Sequence, residues 1–261
     1  MFSEKGRSSN LEKAAELLFE LGSEDRLKIL GEIGKNPLKL SQVAQKMSST
    51  IQETSRQCSR LEEAGLVEKF SDGRLGLTSV GRLLLSLSPA FVLLSEEKEY
   101  FRSHDASVLP LPFIERMGEL LEHKRIDHIN DTLEFQQRVV RESESFVWFM
   151  SDQPVGHSLR ESHSHFSPNT SLRIILPKSV DTDVFQNARR QMDSRLEIGL
   201  VDDVRVVVAM NEKTAAFSLP TLDGRADYGR GFIGDSSSFR TWCHDLFCYF
   251  WEKSQKKYPQ T

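Results

Sequence analysis

Cysteine is scarce and unpaired in this chain: Cys58, Cys243 and Cys248 are the only three in 261 residues, and no two stand in a Cys-x-x-Cys spacing. An odd, scattered set offers neither a disulfide framework nor a thiolate zinc site, and it suits a reducing compartment. A positive surplus is missing too, since 34 basic side chains face 38 acidic ones for a net charge of −4. That excludes a surface coated in positive charge and leaves room for a small basic face on one domain. Long hydrophobic runs are also lacking. The opening "MFSEKGRSSNLEKAAELL" has no apolar signal-peptide core. The richest segment, "LLLSLSPAFVLL", is interrupted by serine and proline and falls short of the ~18 to 20 residues of a membrane span. The expectation is a soluble cytoplasmic protein with no membrane partner.

Catalytic signatures are absent as well. No Gly-x-Ser-x-Gly turn presents a nucleophile, and no Gly-x-x-x-x-Gly-Lys cradles a phosphate. No His-x-Lys pair exists for phosphodiester attack. The nearest cluster, "GHSLRESHSHF", holds His157, His163 and His165. A strand would turn His163 and His165 to one side, but Glu161 and Asp152 are only nominal further ligands, and a polar loop is the plainer reading. The chain is therefore expected to be no enzyme, with no catalytic residue, no metal and no cofactor.

What is present divides into three regions. Residues 1–87 alternate short helical patterns with turn signals. Residues 88–130 read as a helical linker, interrupted at "SVLPLPF", with a dimerisation role for "LLLSLSPAFVLLSEEKEYF" alongside the "NLEKAAELLFEL" helix. Residues 131–261 carry the strand-like runs "SFVWFM", "LRIILP", "RLEIGLV", "VRVVVAM" and "TAAFSL", rich in β-branched and aromatic residues. Helical segments, "DVFQNARRQMDS" and "SSFRTWCHDLFCYFWEKSQKK", lie among and after them. The fold class is α+β, with an α/β sheet domain at the C-terminal end.

Residues 23–78 repay closer reading. Ser23 caps a helix with Leu27, Leu30 and Ile33 at helical spacing and Ile29 beside them. Gly34, Asn36 and Pro37 end it. A second helix turns Leu40, Val43, Ala44 and Met47 inward. Thr50-Ile51-Gln52-Glu53 then forms a capping box. The third helix has Ile51, Thr54 or Ser55, Cys58 and Leu61 inward, and Gly65 gives it a left-handed stop. "LVEKFSDGRLGLT" alternates about Asp72-Gly73, a hairpin signal. Three short helices followed by a hairpin make a winged helix-turn-helix.

The third helix leaves Gln52, Glu53, Arg56, Gln57 and Arg60 facing out, with Ser49 and Thr50 at its leading end. Glutamine and arginine make paired bonds to base edges, and short hydroxyls suit phosphate oxygens. Lys69 and Arg74 of the hairpin would lie beside a neighbouring phosphate or minor groove. These nine residues are the candidate DNA contacts. Local charge helps only mildly: residues 39–82 hold seven basic and five acidic side chains. A polar solvated face is the bland alternative.

The stretch "SEDRLKIL…LSQVAQKMSSTIQETSRQCSRLEEAGLVEKF…GRLGLTSVGRLLL" resembles prokaryotic winged-helix regulators. The end of the chain is similar to an archaeal family of winged-helix regulators named for methanogenesis regulation. The shared features are the turn Asp223-Gly224-Arg225-Ala226-Asp227 and a final helix carrying Trp242, Leu246, Phe247, Tyr249 and Phe250. Residues 100–200 match that family only in layout. The resemblance implies a DNA-binding N-terminal domain and a dimeric assembly. It also implies a C-terminal regulatory domain like catalytically inactive phospholipase-D-like folds, which bind ligands.

The expected function is a sequence-specific transcriptional regulator that binds operator DNA as a homodimer and answers to a small-molecule effector. Open sheets take ligands at strand ends, which makes Asp152, Asp202, Asp227 and Trp242 candidate effector-lining residues. Core packing is the other expectation for the aromatic stripe of the last helix. The alternative function is a winged-helix module docking on transcription or assembly machinery.

Overall fold

The folded structure is a computed structural model that describes residues 4–154, 170–185, 190 and 195–256. It divides into two compact units, Met1–Ser88 and Pro89–Thr261.

The first unit begins with helix α1 (Glu4–Leu21), followed by α2 (Glu24–Lys35), strand β1 (Leu38–Lys39), α3 (Leu40–Lys46) and α4 (Ile51–Glu63). Strands β2 (Val67–Lys69) and β3 (Arg74–Leu77) complete an antiparallel sheet of order β1-β3-β2. Each start and stop has a chemical cause. Ser23 and Thr50 cap α2 and α4 by accepting from the N–H groups of Arg26 and Glu53. Ser48, at φ 51°, turns the chain between α3 and α4 while the Ser49 N–H donates to Ala44 O. Gly65, at φ 71°, ends α4 with Leu66 N–H bonded to Leu61 O, the double-bonded left-handed stop. Gly73, at φ 80°, turns the hairpin.

Ile29, Leu30, Ile33, Val43, Cys58, Leu61, Leu66, Val67, Leu75 and Leu77 form one core. This is a winged helix-turn-helix. Two expectations need correction. Ile51 is 59% exposed rather than inward, because as the first residue of α4 it projects past the helices behind it. The capping box is only half made: Thr50 caps Glu53, but the Glu53 carboxylate turns to Arg56 and Gln57 instead of reaching back.

Helix α5 (Ser79–Glu96) crosses the boundary between the units. At 18 residues and a mean hydropathy of 1.3 it is long and apolar enough to cross a membrane, contrary to expectation. The serines and proline do not break it. Pro89 lacks the N–H that would bond Leu85 O, and the Ser88 hydroxyl donates to that carbonyl instead. Gly81 lets α5 pass over the wing: a Cβ there would lie 2.1 Å from Leu66 O.

The second unit is a mixed eight-stranded sheet. Its strands are β4 (Lys124–Ile126), β5 (Phe146–Met150), β6 (Ser171–Pro177), β7 (Leu196–Val201), β8 (Val207–Asn211), β9 (Ala215–Ser218), β10 (Gly231–Gly234) and β11 (Gln255–Lys256). Their order is β11-β7-β6-β5-β8-β9-β10-β4, with β5-β6 and β6-β7 parallel and the other pairs antiparallel. Each of the five strand-like runs expected from the sequence contains a strand, although in "VRVVVAM" it begins only at Val207.

Alternate residues of β5 serve opposite cores. Trp148 and Met150 join the last helix, α9 (Ser237–Lys253), on one face. Val147 and Phe149 join Phe135, Val139 and Val140 of α8 (Ile129–Arg141) on the other. Short helices α6 (Lys98–Ser103) and α7 (Leu111–Glu115) add Tyr100 and Phe113 to the α9 side. Residues 98–126, which fall within the expected linker 88–130, pack into this unit. Leu109, Phe113, Met117 and Leu120 have their apolar partners on α9 and the sheet. Of "DVFQNARRQMDS", Thr182–Phe185 forms one 3-10 turn and the rest lies largely outside the described residues.

Candidate nucleic-acid interface

Helix α4 buries Thr54, Cys58 and Leu61, one stripe at spacing four and three, which fixes the opposite flank toward solvent. Burial holds the Cys58 thiol up at about 11, so it stays protonated and inert. Ser49, Thr50, Gln52 and Arg56 are exposed, and the Arg56 side chain keeps 71% of its surface. Glu53 and Gln57 are half-buried and bonded to one another, Gln57 Nε2 donating to Glu53 Oε1 at 2.7 Å. Arg56 Nη2 donates to the same oxygen at 2.9 Å. The bonds from Gln57 and Arg56 hold the Glu53 carboxyl below its usual value.

Arg60 is turned sideways from this group. It donates to Glu20 Oε1 at 2.7 Å and lies over the Phe19 ring, both on α1. On the wing, Lys69 is exposed and Arg74 pairs with Asp72 at 2.6 Å across the turn. Bonds from the Arg74 backbone and side chain lower the Asp72 carboxyl. So seven of the nine candidate contacts, Ser49, Thr50, Gln52, Glu53, Arg56, Lys69 and Arg74, lie on the leading turns of α4 or on the wing. Gln57 and Arg60 are engaged inside the unit.

Sequence reading missed Arg26. Its side chain is 8% exposed, and it donates to Phe19 O, Glu20 O and Gln57 Oε1 at 2.9, 2.7 and 3.3 Å. An arginine on the apolar stripe of α2 carried no signal beyond that position.

In the second unit the candidate effector residues do not share one site. Asp152 accepts a hydrogen bond from the Tyr228 hydroxyl, whose pKa is pushed up by burial and by the Asp152 charge. Asp227 accepts from the Gly229 and Arg230 N–H groups and meets His104 Nε2 at 3.0 Å. Tyr228 and Asp227 border a cavity of about 20 Å³, room for one water rather than an organic ligand. Asp202 stands apart, exposed and paired with Lys178 at 2.7 Å. Trp242 is fully buried and its indole N–H donates to Phe113 O at 3.1 Å, so it is core and lines no ligand surface. A wider open groove of about 680 Å³ is lined by Lys124, Arg125, Arg138 and Lys213 among others.

His157, His163, His165 and Glu161 lie outside the described residues. Among the described residues no cluster of three metal-type ligands occurs. The spacing Gly-x-Gly-x-x-Gly does occur, at Gly229, Gly231 and Gly234. Gly231 and Gly234 stand in β10 with Gly229 just before it, so the glycines do not form a loop that opens a helix. A Cβ at Gly231 would meet Phe217 O at 2.7 Å, and one at Gly234 the Phe239 ring at 2.3 Å. Packing explains both glycines.

The fold defines a class: a winged helix-turn-helix joined to a mixed α/β sheet unit. No family model and no curated protein matches the chain. Solved structures similar to it include TrmBL2, an archaeal chromatin protein, at 12% identity and a TM-score of 0.37, covering 88% of this chain and 92% of that one. Another is the homodimeric winged helix-turn-helix DNA-binding domain Mb0332 of Mycobacterium bovis, at 19% identity and a TM-score of 0.32, covering 37% and 90%. A third is the dimethyltransferase RosA of Streptomyces davawensis, at 14% identity and a TM-score of 0.31, covering 77% and 68%. At such values none of the three passes its activity to this chain.

Proposed function

We propose that the protein is a cytoplasmic, sequence-specific DNA-binding transcriptional regulator akin to the archaeal methanogenesis-regulatory family. It acts as a homodimer and carries a second unit that senses a small molecule without catalysis, as inactive phospholipase-D-like folds do. One observation carries the reading: the exposed leading turns of α4 present Ser49, Thr50, Gln52 and Arg56, with wing residues Lys69 and Arg74 exposed in the same unit. A helix entering the major groove meets bases with these first turns, and the wing adds phosphate contacts.

Support for two-fold assembly comes from α5. Val80, Leu83, Leu87, Phe91 and Leu94 recur at spacings of three and four, each between 43% and 67% exposed. Helix α1 adds exposed Leu11 and Leu18 seven residues apart. A two-fold dimer sets half-sites about 10 base pairs, or a multiple, apart.

The test is fluorescence anisotropy of the full chain on labelled duplex across a salt series. Affinity falls log-linearly with salt as phosphate contacts release counterions. Absence of binding at low salt overturns the reading. It would favour a docking module instead, for which exposed Ile51 and Phe70, on α4 and the hairpin turn, supply apolar contact area.

A further inference from the structure

Five side chains form a continuous polar chain from the end of α1 to the exposed flank of α4. Glu20 Oε2 lies 3.1 Å from Arg26 Nε. Arg26 Nη1 donates to Gln57 Oε1, Gln57 Nε2 to Glu53 Oε1, and Arg56 Nη2 to that same Glu53 oxygen. The orientation of the Gln57 amide is dictated by its neighbours. A guanidinium has no acceptor, so it must face the amide oxygen; a carboxylate has no donor, so it must face the amide nitrogen. Arg26 is itself held by the Phe19 and Glu20 carbonyls and is nearly buried. The inner end of the chain is therefore held on several sides, and exposure rises outward to Glu53 and then to Arg56, which reaches furthest into solvent.

We infer that Arg56 is the guanine-reading residue of α4, and that Gln57 and Arg26 are positioning residues that act on it through Glu53. The inference rests on the DNA-binding reading of α4. Arginine reads guanine by paired bonds to O6 and N7, which needs its planar fork at a set angle. A mobile arginine loses rotamer freedom on docking; one already braced against Glu53 has lost part of it in folding. Bracing favours the one base step in register and gives nothing on random sequence, where mobile charges suffice for phosphates. Gln57, with its carbonyl on Arg26 and an amide hydrogen on Glu53, is committed inward. It contributes to specificity without touching a base.

The experiment has two arms, both on the full chain. A randomised duplex pool is enriched on wild type and on Arg56→Ala. The wild-type site contains an invariant guanine in each half, and Arg56→Ala relaxes that position alone. Binding to the enriched duplex and to a scrambled one is then measured for Arg56→Ala, Gln57→Leu and the double variant, with circular dichroism checking the fold. Arg56→Ala weakens the enriched duplex by about 5- to 100-fold and leaves the scrambled one unchanged. Gln57→Leu weakens the enriched duplex several-fold, but has no further effect once Arg56 is alanine. Glu53→Gln, which keeps shape and removes the charge, repeats the Gln57→Leu pattern should that variant unfold. Additive losses for Arg56 and Gln57 overturn the inference by making Gln57 an independent reader, as does an unchanged guanine preference in Arg56→Ala. Failure of wild type to enrich any site, or to bind in a salt-dependent way, sinks the DNA reading itself.

Discussion

Single side chains set the strictest limits in the winged-helix unit. Gly81→Ala would place a methyl 2.1 Å from the Leu66 carbonyl, a backbone atom that cannot swing aside. Overpacking of that kind costs on the order of 1–3 kcal/mol or more, read as a lower urea midpoint. An unchanged midpoint would show that α5 shifts freely over the wing. Glu32 tests electrostatics. It meets Lys35 at 2.6 Å and Lys46 at 2.8 Å, and those bonds hold its carboxyl at about 2 rather than 4.5. Its contribution is present above pH 4.5 and lost as pH falls toward about 2. The stability gap between wild type and Glu32→Gln should narrow through that window, and earlier in high salt. A gap constant from pH 6 to 2 would refute the pairing. Residue-level legibility from sequence was uneven. Gly65 and Gly73 declared themselves, because left-handed turns leave few alternatives to glycine. Arg26 did not, because the carbonyls and amide that pay for burying its charge come from α1 and α4.

Elements were more readable than their partnerships. The helices of the first unit and the five central strands follow from periodicity and β-branched content. Strands β4 and β11, three and two residues long, were invisible, since pairing with a neighbour defines them and composition does not. Residues 88–130 read as a helical linker because the prolines within them hide short helices whose apolar partners are distant in sequence. The serine and proline that interrupt the hydrophobic run of "LLLSLSPAFVLL" do not interrupt the helix, because the Ser88 hydroxyl takes up the carbonyl left free at Pro89. The exposed stripe of α5 carries the assembly prediction. Leu87→Glu, changing a side chain 54% exposed, leaves circular dichroism unchanged while converting dimer to monomer in sedimentation. A variant that still sediments as a dimer would move the two-fold axis elsewhere.

At the scale of the whole molecule, the two units have separate cores. All three tryptophans, Trp148, Trp242 and Trp251, belong to the second. Tryptophan fluorescence therefore follows the sheet unit alone, while far-ultraviolet dichroism follows both. The two probes should give different denaturation midpoints. Leu61→Ala, which empties a fully buried site in the first core, costs about 2–5 kcal/mol there and moves only the dichroism curve. Coincident curves for wild type and variant would mean that the units unfold as one.

Among the described residues the sheet ends on both sides in very short strands, and β11 pairs with Gly199 and Leu200 of the longer β7. Short borders of this kind deny an incoming chain a template for strand pairing. Trimming the protein before Gln255 would strip that border from β7. The consequence is colloidal rather than catalytic: the shortened protein would gain a tendency to self-associate edge to edge while keeping its fold.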